Sequence, residues 1–245
     1  MLRGSGIFFV VVAAAFLVVG CGSAPEGGKA GAKGAREMAH VPAGEFVFGV
    51  GGAGGGGEKI TLGDFYIDIY EVTNRQFKEF VKATGRKEPR GWFIYGYKKD
   101  EADHPMTLIS HKDAEDYCRW AGLRLPTEQE WERAARGSDG RRYPWGGEWD
   151  SKKANTSLSG IVGTTPVGSY PDGKSPVGAF DMAGNLWEWT SSDFIDSQGS
   201  VTVKTKVVRG GSWGLTHRFA STYFRVGYNP TTVINNIGFR CAKGG

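Results

Sequence analysis

The sequence has only three cysteines in 245 residues, Cys21, Cys118 and Cys241, and no Cys-x-x-Cys pair. A thiol-redox motif is therefore excluded. Asp/Glu pairs are plentiful, but none stands out as a hydrolytic site, which sets hydrolysis aside. Glycine is abundant, yet the run Gly51–Gly57 is followed by no Gly-Lys-Ser/Thr and opens no helix. It reads as a surface loop rather than a phosphate cradle. The net charge is only +4, with the basic residues spread along the chain, so nucleic acid is not expected as a partner. Long apolar runs are few, no internal repeat is evident, and the EF-hand pattern is absent.

What the chain does have begins with an export signal. Arg3 precedes an apolar run, Ile7–Val19, of signal-peptide length and short for a membrane span. The run ends Val18-Val19-Gly20-Cys21, which resembles the bacterial lipobox, so residues 1–20 are expected to be a lipoprotein signal peptide. Cys21 would then be lipidated and become the mature N-terminus, anchored to the membrane through lipid. The alternative is an ordinary signal peptide with a chance cysteine. Ser23 stands where an aspartate would argue for inner-membrane retention, which points to the outer membrane, facing the periplasm. Residues 21–40, rich in Gly and Ala, read as a flexible tether with His40 solvated at its end. The folded domain is expected over 41–245. Export places Cys118 and Cys241 in an oxidising space, where they form one disulfide or stay as two buried free thiols.

Eight Trp and 39 Gly point to a loop-rich α+β fold of turns and short strands. Three capping boxes predict three short helices, opening at Thr73, Ser110 and Thr127. Each carries an apolar face: Phe77, Phe80 and Val81 on the first, Ala114, Tyr117 and Cys118 on the second, Trp131, Ala134 and Ala135 on the third. Strands are expected at Val41–Gly49, Phe65–Glu71, Val207–Trp213, Tyr223–Tyr228 and Gly238–Ala242. The stretch Gly178–Trp189 looks too polar for a simple core strand and too aromatic for a solvated loop. Asp181 and Glu188 flank a turn made by Gly184 and Asn185, an arrangement that suits either a hard cation such as Ca2+ or a plain aromatic-rich turn.

An ordered set of motifs then resembles the formylglycine-generating enzyme family, also called sulfatase-modifying factor domains. The set runs Val41-Pro-Ala-Gly-Glu-Phe, Tyr70-Glu-Val-Thr-Asn74, Asp113-Ala-Glu-Asp-Tyr-Cys-Arg-Trp-Ala-Gly122 and Arg124-Leu-Pro-Thr-Glu-Gln-Glu-Trp-Glu132. It continues with Ala134-Ala-Arg-Gly137, Tyr143-Pro-Trp-Gly146, Asp181-Met-Ala-Gly-Asn-Leu-Trp-Glu-Trp-Thr190, Arg209-Gly-Gly-Ser-Trp213 and Gly238-Phe-Arg-Cys241. The resemblance covers residues 41–242. It implies a C-type-lectin-like superfold, a Cys118–Cys241 disulfide, and a structural Ca2+ on the Asp181 and Glu188 side chains and the Gly184 and Leu186 carbonyls. The family's other calcium site would begin at Asn155 and Thr156, with no clear carboxylate partner in Ser157–Gly163.

The resemblance breaks where the family does its chemistry. Its members oxidise a substrate cysteine with O2 on copper held by two cysteines, and those positions fall here on Leu215 and Ala220. Neither side chain replaces a thiolate on Cu(I), so copper is not expected. Ser212 and Trp187 remain from the family's site region. The expectation is a non-catalytic binding or scaffold module for a peptide, glycan or envelope protein, with Trp92, Phe93, Tyr95 and Tyr97 as its aromatic candidates. The alternative is an oxidoreductase with a non-standard site, including iron held by His104, His111 and His217, though their spacing does not bring them together.

Overall fold

The computed structural model describes residues 36–49, 57–195 and 204–245. The signal peptide, Cys21 and most of the glycine run lie outside these. Strand β1 (Met38–Val41) begins inside the segment expected as tether, pairing antiparallel with β4 (Phe65–Asp68), which in turn pairs with β9 (Ala242–Gly244). Arg36 is already anchored, its guanidinium on the Asp68 carboxylate and on Tyr117 Oη. The tether expectation is thus corrected over residues 36–40: a buried acid at Asp68 recruits a partner from upstream. His40 is exposed to solvent as expected but lies in β1 rather than in a linker, with Nε2 2.9 Å from Asp64 and its ring against Tyr66.

A separate hairpin pairs β2 (Gly44–Phe48) with β3 (Glu58–Leu62). The third sheet has the order β7-β6-β5-β8, from β5 (Trp187–Asp193), β6 (Lys206–Arg209), β7 (Arg225–Tyr228) and the short β8 (Ile237–Gly238). Every helix foreseen from a capping box is present with that box formed: α1 (Asn74–Thr84), α3 (His111–Trp120) and α4 (Glu128–Arg136). Such caps are worth about 1 kcal/mol each. A fourth helix, α2 (Arg90–Tyr95), was not foreseen; it follows Pro89, has no side-chain cap and runs for six residues. None of these helices is long and apolar enough to cross a membrane.

Two large apolar clusters hold most of the elements together. In one, Phe77, Phe80 and Tyr117 from α1 and α3 pack with Trp187, Trp189 and Phe239. In the other, Trp131, Ala134 and Ala135 of α4 sit against Ile67, Phe65 and Met182. Cys118 and Cys241 are bonded, their Cα atoms 5.7 Å apart, which ties α3 to the residue before β9 across 123 positions. A crosslink closing so long a loop stabilises by about 2–5 kcal/mol. The result is the expected α+β architecture with little regular structure.

Candidate functional site: a carboxylate-rich turn

The polypeptide enters β5 through a turn that needs left-handed backbone at three positions. Asp181 has φ 56°, Gly184 82° and Asn185 58°. Only glycine fits at 184, because an added Cβ would stand 2.3 Å from the Asn155 carbonyl oxygen. Asn185 is fully buried and pins the turn. Its Nδ2 donates to Glu71 Oε2 at 2.7 Å, while its Oδ1 accepts from Thr165 N at 3.0 Å and Asn155 Nδ2 at 3.2 Å. Beyond the turn, Trp187–Thr190 are buried core strand, so the reading of this stretch as too polar for one is corrected. Glu188 can lie there because Arg240 meets both its oxygens at 2.7 Å and Trp131 Nε1 donates at 2.8 Å.

Arg240 is the one guanidinium beside three buried carboxylates, Glu71, Asp181 and Glu188. It is spread thin, also donating to the Ile69 and Phe180 carbonyls. Glu71 Oε1 is buried with no hydrogen-bond partner. Desolvation, reinforced by the Asp181 and Glu188 charges, raises the Glu71 pKa well above the usual carboxylate range. Burial likewise pushes Asp181 up to about 6, although the Gly168 amide and Arg240 act the other way. An orphaned oxygen and an uncompensated excess of negative charge fit a hard, oxygen-seeking cation at this turn. No group of three or more His, Cys, Asp or Glu side chains close enough to hold a metal occurs among the described residues. A cation here would therefore use carbonyl oxygens as well, for which the sequence offers Gly184 and Leu186.

Comparison with known proteins agrees with this body plan. The family model for the sulfatase-modifying factor enzyme 1-like domain matches residues 24–244. The chain belongs to that family. It is 31% identical to the inactive C-alpha-formylglycine-generating enzyme 2 of Bos taurus, over 84% of this chain and 88% of that one. It is 34% identical to the formylglycine-generating enzyme of Streptomyces coelicolor, over 85% and 89% respectively. Among solved structures, PvdO from Pseudomonas aeruginosa superposes with a TM-score of 0.71 at 26% identity, covering 84% of this chain and 94% of that one.

The positions that hold copper-binding cysteines in the sulfatase-modifying factor family are apolar and packed here. Leu215 sits against the large aromatic cluster, and Ala220 is buried with Ala154 and Ala183 beneath Trp145 and Trp149. Both cysteines of the described residues are used by the disulfide. Ser212 and Trp187 are buried; Ser212 Oγ is near Asn236 Nδ2 at 3.4 Å, and Trp187 belongs to the core. The histidines have separate surroundings. His104 Nδ1 meets Thr164 Oγ1, His111 Nε2 meets the Thr190 carbonyl, and His217 stacks on Trp149. His111 is buried and packs edge-on against Trp189. Where the resemblance would place a second calcium site, Ser159 Oγ lies 2.9 Å from Asn155 Oδ1 and 2.8 Å from the Thr156 carbonyl oxygen.

The aromatic candidates divide. Trp92 packs on Phe77 and Tyr97, whereas Phe93 is 85% exposed and Tyr95 69%. Trp92, Tyr95 and Tyr97 line a cavity of about 790 Å³, closed on other sides by Trp213, His104 and Thr164. Glu71, Arg240 and Trp213 had not been singled out as site residues. The available signal was a charge inside an apolar run, as in Tyr70-Glu71-Val72 and Phe239-Arg240-Cys241.

Proposed function

We propose that this protein is a lipid-anchored binding module of the bacterial cell envelope, built on a sulfatase-modifying factor domain without copper oxidase chemistry. The observation that carries this reading is the packing of Leu215 and Ala220 into apolar clusters where the oxidase needs two thiolates. The likeness to a protein named as inactive supports it. So does the cavity beside α2, which gives a ligand somewhere to go without any chemistry. In this reading the Cys21 lipid holds the domain at the outer membrane. Ca2+ is structural, bound by Asp181 and Glu188 with the Gly184 and Leu186 carbonyls.

The test is turnover. Full-length protein loaded with Cu(I), and separately with Fe(II), is mixed with O2 and a cysteine-containing sulfatase-type peptide, and the product is read by mass. Unchanged peptide is expected with either metal. Formylglycine would contradict the proposal and require a ligand set other than thiolates.

A further inference from the structure

The cavity beside α2 carries no net charge. Lys98 and Glu101 are its ionised lining residues, and they pair with each other at 2.7 Å. His104 adds no positive charge at neutral pH, because burial lowers its pKa. What remains is aromatic surface, from Trp92, Tyr95 and Trp213, aliphatic surface, from Leu108, Val162, Val233 and Ile234, and neutral hydrogen-bonding groups, from Thr107, Thr164 and Asn235.

A second observation comes from Trp213. Its indole N–H is buried without a hydrogen-bond partner among the described residues, so Trp213 meets the cavity with its ring rather than with a donor. The wall itself is set in advance. Leu108 is held at φ 56°, and an added Cβ at Gly91 would lie 2.7 Å from Leu108 Cδ1. Backbone of this kind persists where the surroundings over-determine it.

We infer that the cavity binds an uncharged oligosaccharide, a conclusion that rests on the binding-module reading and names its ligand. A sugar ring offers an apolar face of C–H groups to aromatic rings and a rim of neutral hydroxyls that both donate and accept. An acidic glycan or a charged peptide would bring charge to a site whose own ions are already paired, and would lose hydration without recompense. An acyl chain would leave the amide and hydroxyl groups without partners. Tyr95, mostly exposed at the rim, is placed to stack on a sugar unit that extends out of the cavity.

The test uses full-length protein in a non-glycosidic detergent, because a sugar-headgroup detergent would compete. It is applied to arrays of uncharged oligosaccharides, uronate- or sulfate-bearing oligosaccharides, and peptides. Binding to uncharged oligosaccharides is expected. Tyr95→Ala and Trp213→Phe should each weaken it by up to roughly tenfold, the scale of lost aromatic contact. Tyr95→Ala removes an exposed ring and should leave the melting temperature unchanged, so it reports on binding even if Trp213→Phe disturbs packing. Binding confined to peptides or acidic glycans overturns the inference, as does glycan binding that neither substitution weakens, or no binding at all. In the peptide case the binding-module reading stands. Formylglycine production by the same preparation would remove that reading too.

Discussion

Around Glu132, two buried carboxylates meet three guanidiniums; around Glu188, three carboxylates meet one. In the first cluster Glu132 pairs with Arg136 at 2.6 Å and Arg209 at 2.9 Å, and Glu128 pairs with Arg209 and Arg225. In the second, Arg240 is the one cation among the described residues paired with Glu188, with Glu71 and Asp181 nearby. The two are adjacent: Glu188 and Arg209 face each other in the β5–β6 register, yet each charge finds its partner elsewhere. Burying paired ions is roughly neutral for stability, whereas burying an unpaired one is costly. The first cluster therefore carries its own counter-ions, although burial still raises the Glu132 pKa and Glu132 Oε2 forms no hydrogen bond among the described residues. The second requires protons or a cation.

The largest effect is expected where the only cation of the poorer cluster is removed. Arg240→Met should cost about 3–5 kcal/mol in chemical denaturation, because it strands Glu188 among like charges. A loss below about 1 kcal/mol would show that Glu188 is neutral without it.

Acidity separates the clusters next. Asp181 in the fold binds its proton up to about pH 6, against 3.8 for the ordinary group. Between those values the folded state holds the extra proton. Its contribution to cation-free stability thus falls as pH rises from about 4 through 6, by on the order of 3 kcal/mol. Glu71, raised further, carries the loss to higher pH. Denaturation in EDTA across this range should show that decline, and Asp181→Asn should flatten it. An identical slope in Asp181→Asn would assign the pH dependence to other groups.

Conservative amides should then give opposite signs. Glu132→Gln removes a paired charge and should destabilise by about 1.5–3 kcal/mol. Glu71→Gln relieves repulsion and should be neutral or stabilising in EDTA. Destabilisation by both would erase the distinction between the clusters. The smallest effect is expected at the solvated pair Arg75–Asp103, where Arg75→Ala should change stability by less than about 0.5 kcal/mol.

The sequence revealed what local chemistry sets. Capping boxes at Thr73, Ser110 and Thr127 announced α1, α3 and α4 because the signal lies within four residues. The turn at Gly184 and Asn185 was readable for the same reason. Helix α2 was not, since it lacks a cap and owes its place to Trp92 packing on Phe77. Strand β5 was misread because Glu188 looks wrong for a core until Arg240 arrives from 52 positions away. Arg36 escaped similarly: a guanidinium in a Gly- and Ala-rich segment looks like a linker charge until Asp68 claims it. The expectation that Leu215 and Ala220 stand where the family has thiolates rests on motifs alone, while their apolar surroundings needed the fold.

The most direct test of the central claim, that the carboxylate-rich turn is a cation site, is Ca2+-dependent thermal unfolding of the full-length protein at neutral pH. Saturating Ca2+ should raise the melting temperature over EDTA by an amount worth about 2–4 kcal/mol, as for a ligand present far above its Kd. Asp181→Asn should abolish the rise. A melting temperature indifferent to Ca2+, or a rise that survives Asp181→Asn, would contradict it.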